Sequence, residues 1–135
     1  MLNNIFGKKN SSKETNIGAL ALSKLQNGEF EDALPLLNKY INRLESLSEP
    51  LTKDDAILYY NRAVTKEQLN DLDGAVMDLE RCNAIASLHQ SFLKLGSLQQ
   101  KLGRSEESIN NIIIAYKLGN DEAENILRKY TNYFH

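Results

Sequence analysis

Two histidines, one cysteine and a few adjacent carboxylates are the side chains in this sequence whose types could do chemistry. His89 is expected at the surface start of a helix and His135 ends the chain, so neither is placed as a general base or metal ligand. Cys82 falls on an apolar helix face, where a thiol behaves as a small buried hydrophobe rather than a nucleophile. With no second cysteine, no intramolecular disulfide and no Cys-rich metal site can be built. Asp54-Asp55 and Glu106-Glu107 stand at helix N-termini, where capping and the helix dipole account for them. There is no Gly-rich phosphate loop, no Gly-x-Ser-x-Gly and no His-Glu-x-x-His. Tyr59-Tyr60 could stack on bases, but no basic stripe accompanies the pair. The expectation is a chain that is not an enzyme and takes no cofactor and no metal.

Charge points the same way. Sixteen Lys and Arg face 18 Asp and Glu, a net charge of -2, which gives no broad attraction to nucleic acid or to an anionic membrane. No apolar run has the length of a signal peptide or of the roughly 20-residue helix that spans a bilayer. The cytoplasm is therefore the expected location. At 135 residues there is room for one domain.

The elements that would position any site are helices. From about Thr15 onward apolar residues recur at spacings of three and four, and strict alternation is not sustained anywhere. Breaks at Asn27-Gly28, Ser48 to Thr52, Asn70 to Asp73, Ser87, Gly103-Arg104 and Gly119-Asn120 predict seven helices. They fall near 15–27, 30–47, 53–70, 73–86, 88–102, 105–118 and 120–132. Thr52 with Asp55 has the form of a capping box, and Asn120 is a good N-cap. Gly28 and Gly103 suit left-handed helix ends. Pro35 is tolerable if its helix starts near Glu31, because its missing amide then lies close to the first turn. The polar stretch 1–13 is expected to be a flexible tail.

Three segments repeat a polar turn followed by a small residue one turn into the next helix: Leu25 to Ala33, Gln68 to Ala75 and Gln100 to Ser108. The interval from Ala33 to Ala75 is 42 residues, and from Ala75 to Ser108 it is 33. With Tyr59-Tyr60-Asn61-Arg62-Ala63, Leu69 to Ala75, Leu79 and Cys82, the central unit resembles the tetratricopeptide repeat, a helical hairpin of about 34 residues. Phe92, Leu95-Gly96, Leu102-Gly103, Ser108, Ile112 and Ala115 carry the resemblance in the third unit. Ile17, Leu20-Ala21, Gly28, Phe30, Ala33 and Leu37 carry it in the first, where Tyr40 stands at a small-residue position.

The resemblance implies an all-α fold, a right-handed α-α superhelix of about seven helices. Its units would be 14–52, 53–87 and 88–119 within a domain 14–135, with an extension around Ile41 to Asp55 and a capping helix at 120–133. Small residues at Ala21, Ala63, Gly96, Ala33, Ala75 and Ser108 would let backbones approach, with Leu20, Leu37, Phe92, Leu95 and Ile112 filling the space between.

The family register also implies a concave face built from first helices. It places Leu22, Leu25 and Gln26 there, then Tyr60, Asn61, Val64, Glu67 and Gln68. The third unit adds Leu93, Lys94, Ser97, Gln100 and Lys101. Such a face would bind a peptide or helix of another protein. Members that serve as chaperone cofactors clamp a terminal carboxylate; here Asn61 and Lys94 stand at clamp-like places, while Gly18, Leu22 and Gln90 replace the other groups. Recognition of chaperone tails is therefore not expected. The alternatives are self-association into a homo-oligomer through the groove or through Ile126, Leu127, Tyr130, Tyr133 and Phe134, and service as a chaperone for a secreted or assembled client.

The small-residue reading has a direct test. Ala63→Leu or Ala75→Leu should each lower stability by about 1–3 kcal/mol through overpacking, read from the urea midpoint.

Overall fold

The computed structural model describes the backbone of residues 12–135 and the side chains of residues 16–135. Among the described residues there are seven helices and no strand: α1 (Ser12–Gln26), α2 (Phe30–Glu45), α3 (Lys53–Gln68), α4 (Leu72–Ile85), α5 (His89–Lys101), α6 (Ser105–Lys117) and α7 (Asp121–Tyr130). Consecutive helices pack as hairpins, α1 on α2, α3 on α4 and α5 on α6, with α7 laid against α6. Helix α1 opens at Ser12, inside the stretch expected as a tail; residues 1–11 of that stretch lie outside the described residues.

One turn is used four times. After α1, α3, α5 and α6 the chain enters the left-handed region at Gly28, Asn70, Gly103 and Gly119. The next amide then reaches back five residues: Glu29 to Lys24 O, Asp71 to Lys66 O and Arg104 to Gln99 O, each at 2.8 Å, and Asn120 to Ala115 O at 3.0 Å. These are Schellman closures, which satisfy carbonyls that a helix end otherwise leaves open. Asn70, at φ 64°, does in the central unit what glycine does in the others. The helix starts are fixed by side chains. Thr52 and Asp55 form the reciprocal capping box (3.3 and 2.7 Å), Asp71 accepts from Gly74 N, and Asn120 accepts from Ala123 N.

The packing follows the small-residue pattern with two exceptions. Ala21, Ala33, Ala63, Ala75, Gly96 and Ser108 are all buried. At the tightest approach, Ser108 Oγ donates to Gly96 O (2.7 Å), and a Cβ on Gly96 would lie 2.7 Å from Ile112 Cγ1. The first exception is Leu20. It does not fill the core as expected, because it points outward from α1 and remains 48% exposed. The second is Tyr40, which occupies a small-residue position yet is fully buried. It shares a cluster with Ile41, Leu44, Ala56, Leu58, Tyr59 and Cys82. The longer α2 and the connection 46–52 make this extra core, which is where the irregular interval of the repeat goes.

Pro35 also sits deeper than expected. Helix α2 starts at Phe30, so the amide Pro35 lacks would have bonded the carbonyl of Glu31, beyond the first turn. Both residues are exposed, which leaves that carbonyl to water.

Gly96→Val tests the close approach of α5 and α6. The side chain would press on Ile112 and on the Ser108 carbonyl, and a loss of about 1–3 kcal/mol is expected in urea unfolding, against the roughly 1 kcal/mol that removing a helical glycine can gain.

Candidate functional site

The first helices of the hairpins place their groups by the 3.6-residue period. Tyr60, Val64 and Glu67 share one side of α3, and Lys94, Ser97 and Lys101 share one side of α5. Glu67 ties the two helices together. Its carboxylate accepts from Lys94 Nζ at 2.8 Å and lies 3.6 Å from Lys101 Nζ. Tyr60 is half-buried and packs against two clusters, the first around Tyr40 and Tyr59 and the second around Ala63, Leu79, Leu95 and Leu98. Burial pushes its phenol above the ordinary value, with Lys94 pulling the other way and Glu67 adding to the rise. Leu22 packs on the same first cluster. The structure thus brings Tyr60, Glu67, Lys94 and Lys101 together, and Leu22 shares a core cluster with Tyr60.

The remaining residues of the expected groove are less tied. Asn61 and Val64 are half-buried beside Tyr60 and Glu67 on α3. Gln26, Gln68, Ser97 and Gln100 are exposed. Among the described residues the side-chain amide of Asn61 has no hydrogen-bond partner. Gln100 stands apart from the rest and borders a gap beneath α7, together with Ile109, Ile112, Leu127 and Tyr130.

Of the two groups that could do chemistry, His89 departs from its expected place and Cys82 keeps it. His89 is not a free surface side chain. It is half-buried, and its Nδ1 lies 2.9 Å from Asn120 Nδ2, which makes that ring nitrogen the acceptor. Cys82 is fully buried, and burial raises its thiol above the ordinary value against a smaller pull from Ser91.

A charged cluster escaped the sequence reading. Arg62 holds Asp78 through two parallel hydrogen bonds of 2.8 Å, from Nε and Nη2, and donates to Asn38 Oδ1 at 3.2 Å. Lys66 adds a 3.0 Å contact to the same carboxylate. Burial works against the Arg62 charge, but the Asp78 hydrogen bond and charge outweigh it and raise its pKa. The guanidinium groups of Arg62 and Arg81 both approach the ring of Tyr59, and its hydroxyl donates to Glu45 at 2.9 Å. The signal was present in the pattern: Asp78 is a carboxylate on the same helix face as Ala75, Leu79 and Cys82. A charge there requires a partner.

This geometry is joined by one finding from comparison. Residues 56–87, the α3–α4 hairpin, match the family model of the tetratricopeptide repeat. The chain carries a tetratricopeptide repeat. No curated protein matches the sequence. Tetratricopeptide repeats are in general protein-interaction modules, and the hairpins on either side of the matched one close with the same left-handed turn. No helix among the described residues is long and apolar enough to cross a membrane, and no group of three or more His, Cys, Asp or Glu could hold a metal ion there.

Removing one partner of the central ion pair should cost far more than an exposed salt bridge. Asp78→Ala leaves two cations facing a largely dry interior, since the Arg62 and Lys66 side chains are 13% and 18% exposed. A loss of about 3–5 kcal/mol in urea unfolding is expected, with Arg62→Met plus Asp78→Leu recovering a large part of it.

Proposed function

We propose that this protein is a non-catalytic interaction module that holds a peptide or helix of a partner protein along the face shared by α1, α3 and α5. The observation that carries the reading is the division of labour on that face. Its principal charges are already engaged with each other, Glu67 with Lys94 and Lys101, while the aromatic and amide groups beside them are not. A half-buried ring on a helix that also carries the amides of Asn61 and Gln68 suits a peptide. The ring supplies apolar contact area, and the amides can meet a backbone that offers both donors and acceptors.

The same pairing supports the view that chaperone tails are not the ligand. A terminal carboxylate would have to displace Glu67 from Lys94 before it gained that cation, and Glu67 is itself only 14% exposed. Leu22 and Gln90 add no charge to make up the loss. Self-association of the chain remains the second reading, favoured by the exposed Tyr130 and Tyr133 at the C-terminal end.

Affinity capture from the native lysate tests the proposal, comparing wild type with the double variant Asn61→Arg/Ser97→Arg. Neither side chain belongs to the buried core, so melting should change little, by an amount equivalent to roughly 0.5 kcal/mol. A protein held by wild type and lost from the variant is the expected result. Equal capture by both baits would remove this face as the binding site.

A further inference from the structure

Helix α7 is held to the array by little of its own. It has 10 residues, and only Ala123 and Leu127 among them are buried. Helix α3, in the corresponding place after the first hairpin, buries Ala56, Leu58, Tyr59 and Ala63 along with two polar residues. An isolated helix shorter than about 12–15 residues is marginal in water, so the ends of α7 and its contacts decide whether it forms. At its start Asn120 supplies the cap. Its Oδ1 accepts from Ala123 N at 2.8 Å, and its backbone amide reaches Ala115 O at 3.0 Å. At the other end the chain turns back. Thr131 has an extended backbone, and its Oγ1 donates to Leu127 O at 2.5 Å and accepts from Tyr133 N at 3.2 Å. The amide of His135 then closes a second turn on Asn132 O at 3.0 Å.

These two turns bring the last aromatics onto α6. Phe134 meets Tyr116 edge-on with ring centroids 5.3 Å apart, and Tyr133 meets the same ring at 6.0 Å. The two also stand edge-on to each other at 5.0 Å. Phe134 touches α7 as well, where the Arg128 guanidinium lies 4.2 Å from its ring centroid. One side chain outside every helix thus contacts both members of the last helix pair.

The first hairpin shows what that side chain supplies. Ile41 and Tyr116 each stand eight residues after the small residue of their hairpin, Ala33 and Ser108. Ile41 is fully buried in a cluster to which α3 brings Leu58 and Tyr59. Tyr116 is only partly buried, against a cluster to which α7 brings Ala123 and Leu127, and Phe134 packs on that same cluster. The C-terminal segment makes up bulk that α7 does not carry.

We propose that residues 131–135 are a latch: Phe134 fastens α7 to α6, and when it lets go α7 opens as a unit while the three hairpins stay folded. Opening uncovers Ile112 and Ala115, which share the third cluster with Ala123 and Leu127 of α7. The event is local because α7 buries few groups. The hairpins, by contrast, are tied to one another by Arg62 with Asn38, by Glu67 with Lys94 and by the first two clusters.

Native-state hydrogen exchange on the full chain tests the latch, comparing wild type with Phe134→Ser, Phe134→Tyr and Tyr130→Ser. Tyr130 is the control: it belongs to α7 and is 71% exposed, and among the described residues it makes no ring contact with Tyr116, Tyr133 or Phe134. Phe134→Ser should speed exchange of the α7 amides by about tenfold or more, through loss of the edge-on pairs and the guanidinium contact, and leave α1 to α5 unchanged. Phe134→Tyr keeps the ring and should keep wild-type protection, as should Tyr130→Ser. Equal protection of α7 in wild type and Phe134→Ser overturns the latch. Acceleration spread over all seven helices overturns the separate opening, because Phe134 would then be core of a single cooperative unit. Acceleration by Tyr130→Ser as large as that by Phe134→Ser also overturns the proposal, since loss of any aromatic at this end would then suffice.

Discussion

Asp78 is the charge on which the middle of the array is assembled. Its carboxylate is almost dry, and it gathers Arg62 and Lys66 from α3 while Arg62 reaches across to Asn38 on α2. A buried charge of this kind tolerates few arrangements, because each lone pair left unmet carries a desolvation cost. Three helices are thereby held in one register at the place where the repeat interval is irregular. The ring of Tyr59, approached by two guanidinium groups and tied to Glu45, extends the same constraint toward the end of α2.

Around that fixed point the rest is repetitive. Four left-handed closures set the helix ends, and small residues at matching positions bring the paired helices together. The backbone is thus largely specified by local chemistry, and each hairpin buries its apolar stripe against the next. Departures from the pattern are accommodated rather than excluded. Tyr40 is housed by a longer α2, and Pro35 leaves a carbonyl to solvent on the outer side.

The electrostatics of the proposed binding face follow from the same economy of charge. Glu67 occupies Lys94, so the face presents an aromatic ring and amides rather than a cationic clamp. Binding there would depend on shape and hydrogen bonding, whereas the gap beneath α7 is lined mainly by apolar side chains. Two neighbouring surfaces therefore differ in kind, one amide-rich and one apolar.

How much was legible in advance divides along physical lines. Helix number, the turns and the buried small residues depend on periods, caps and left-handed positions, which are properties of neighbouring residues; the sequence by itself determined them. The burial of Ala63 and Ala75, the box at Thr52 and the cap at Asn120 are cases of this. The outward turn of Leu20, the seat of Tyr40 and the contact of His89 with Asn120 depend on which helices meet and at what offset. The pairing of Glu67 with Lys94 crosses from α3 to α5, and Asp78 finds Arg62 across a hairpin. Ile109 and Tyr130 remain exposed beside the gap beneath α7. Only the tertiary structure decided these, because a side chain's neighbours across a helix interface are set by packing and not by its place along the chain.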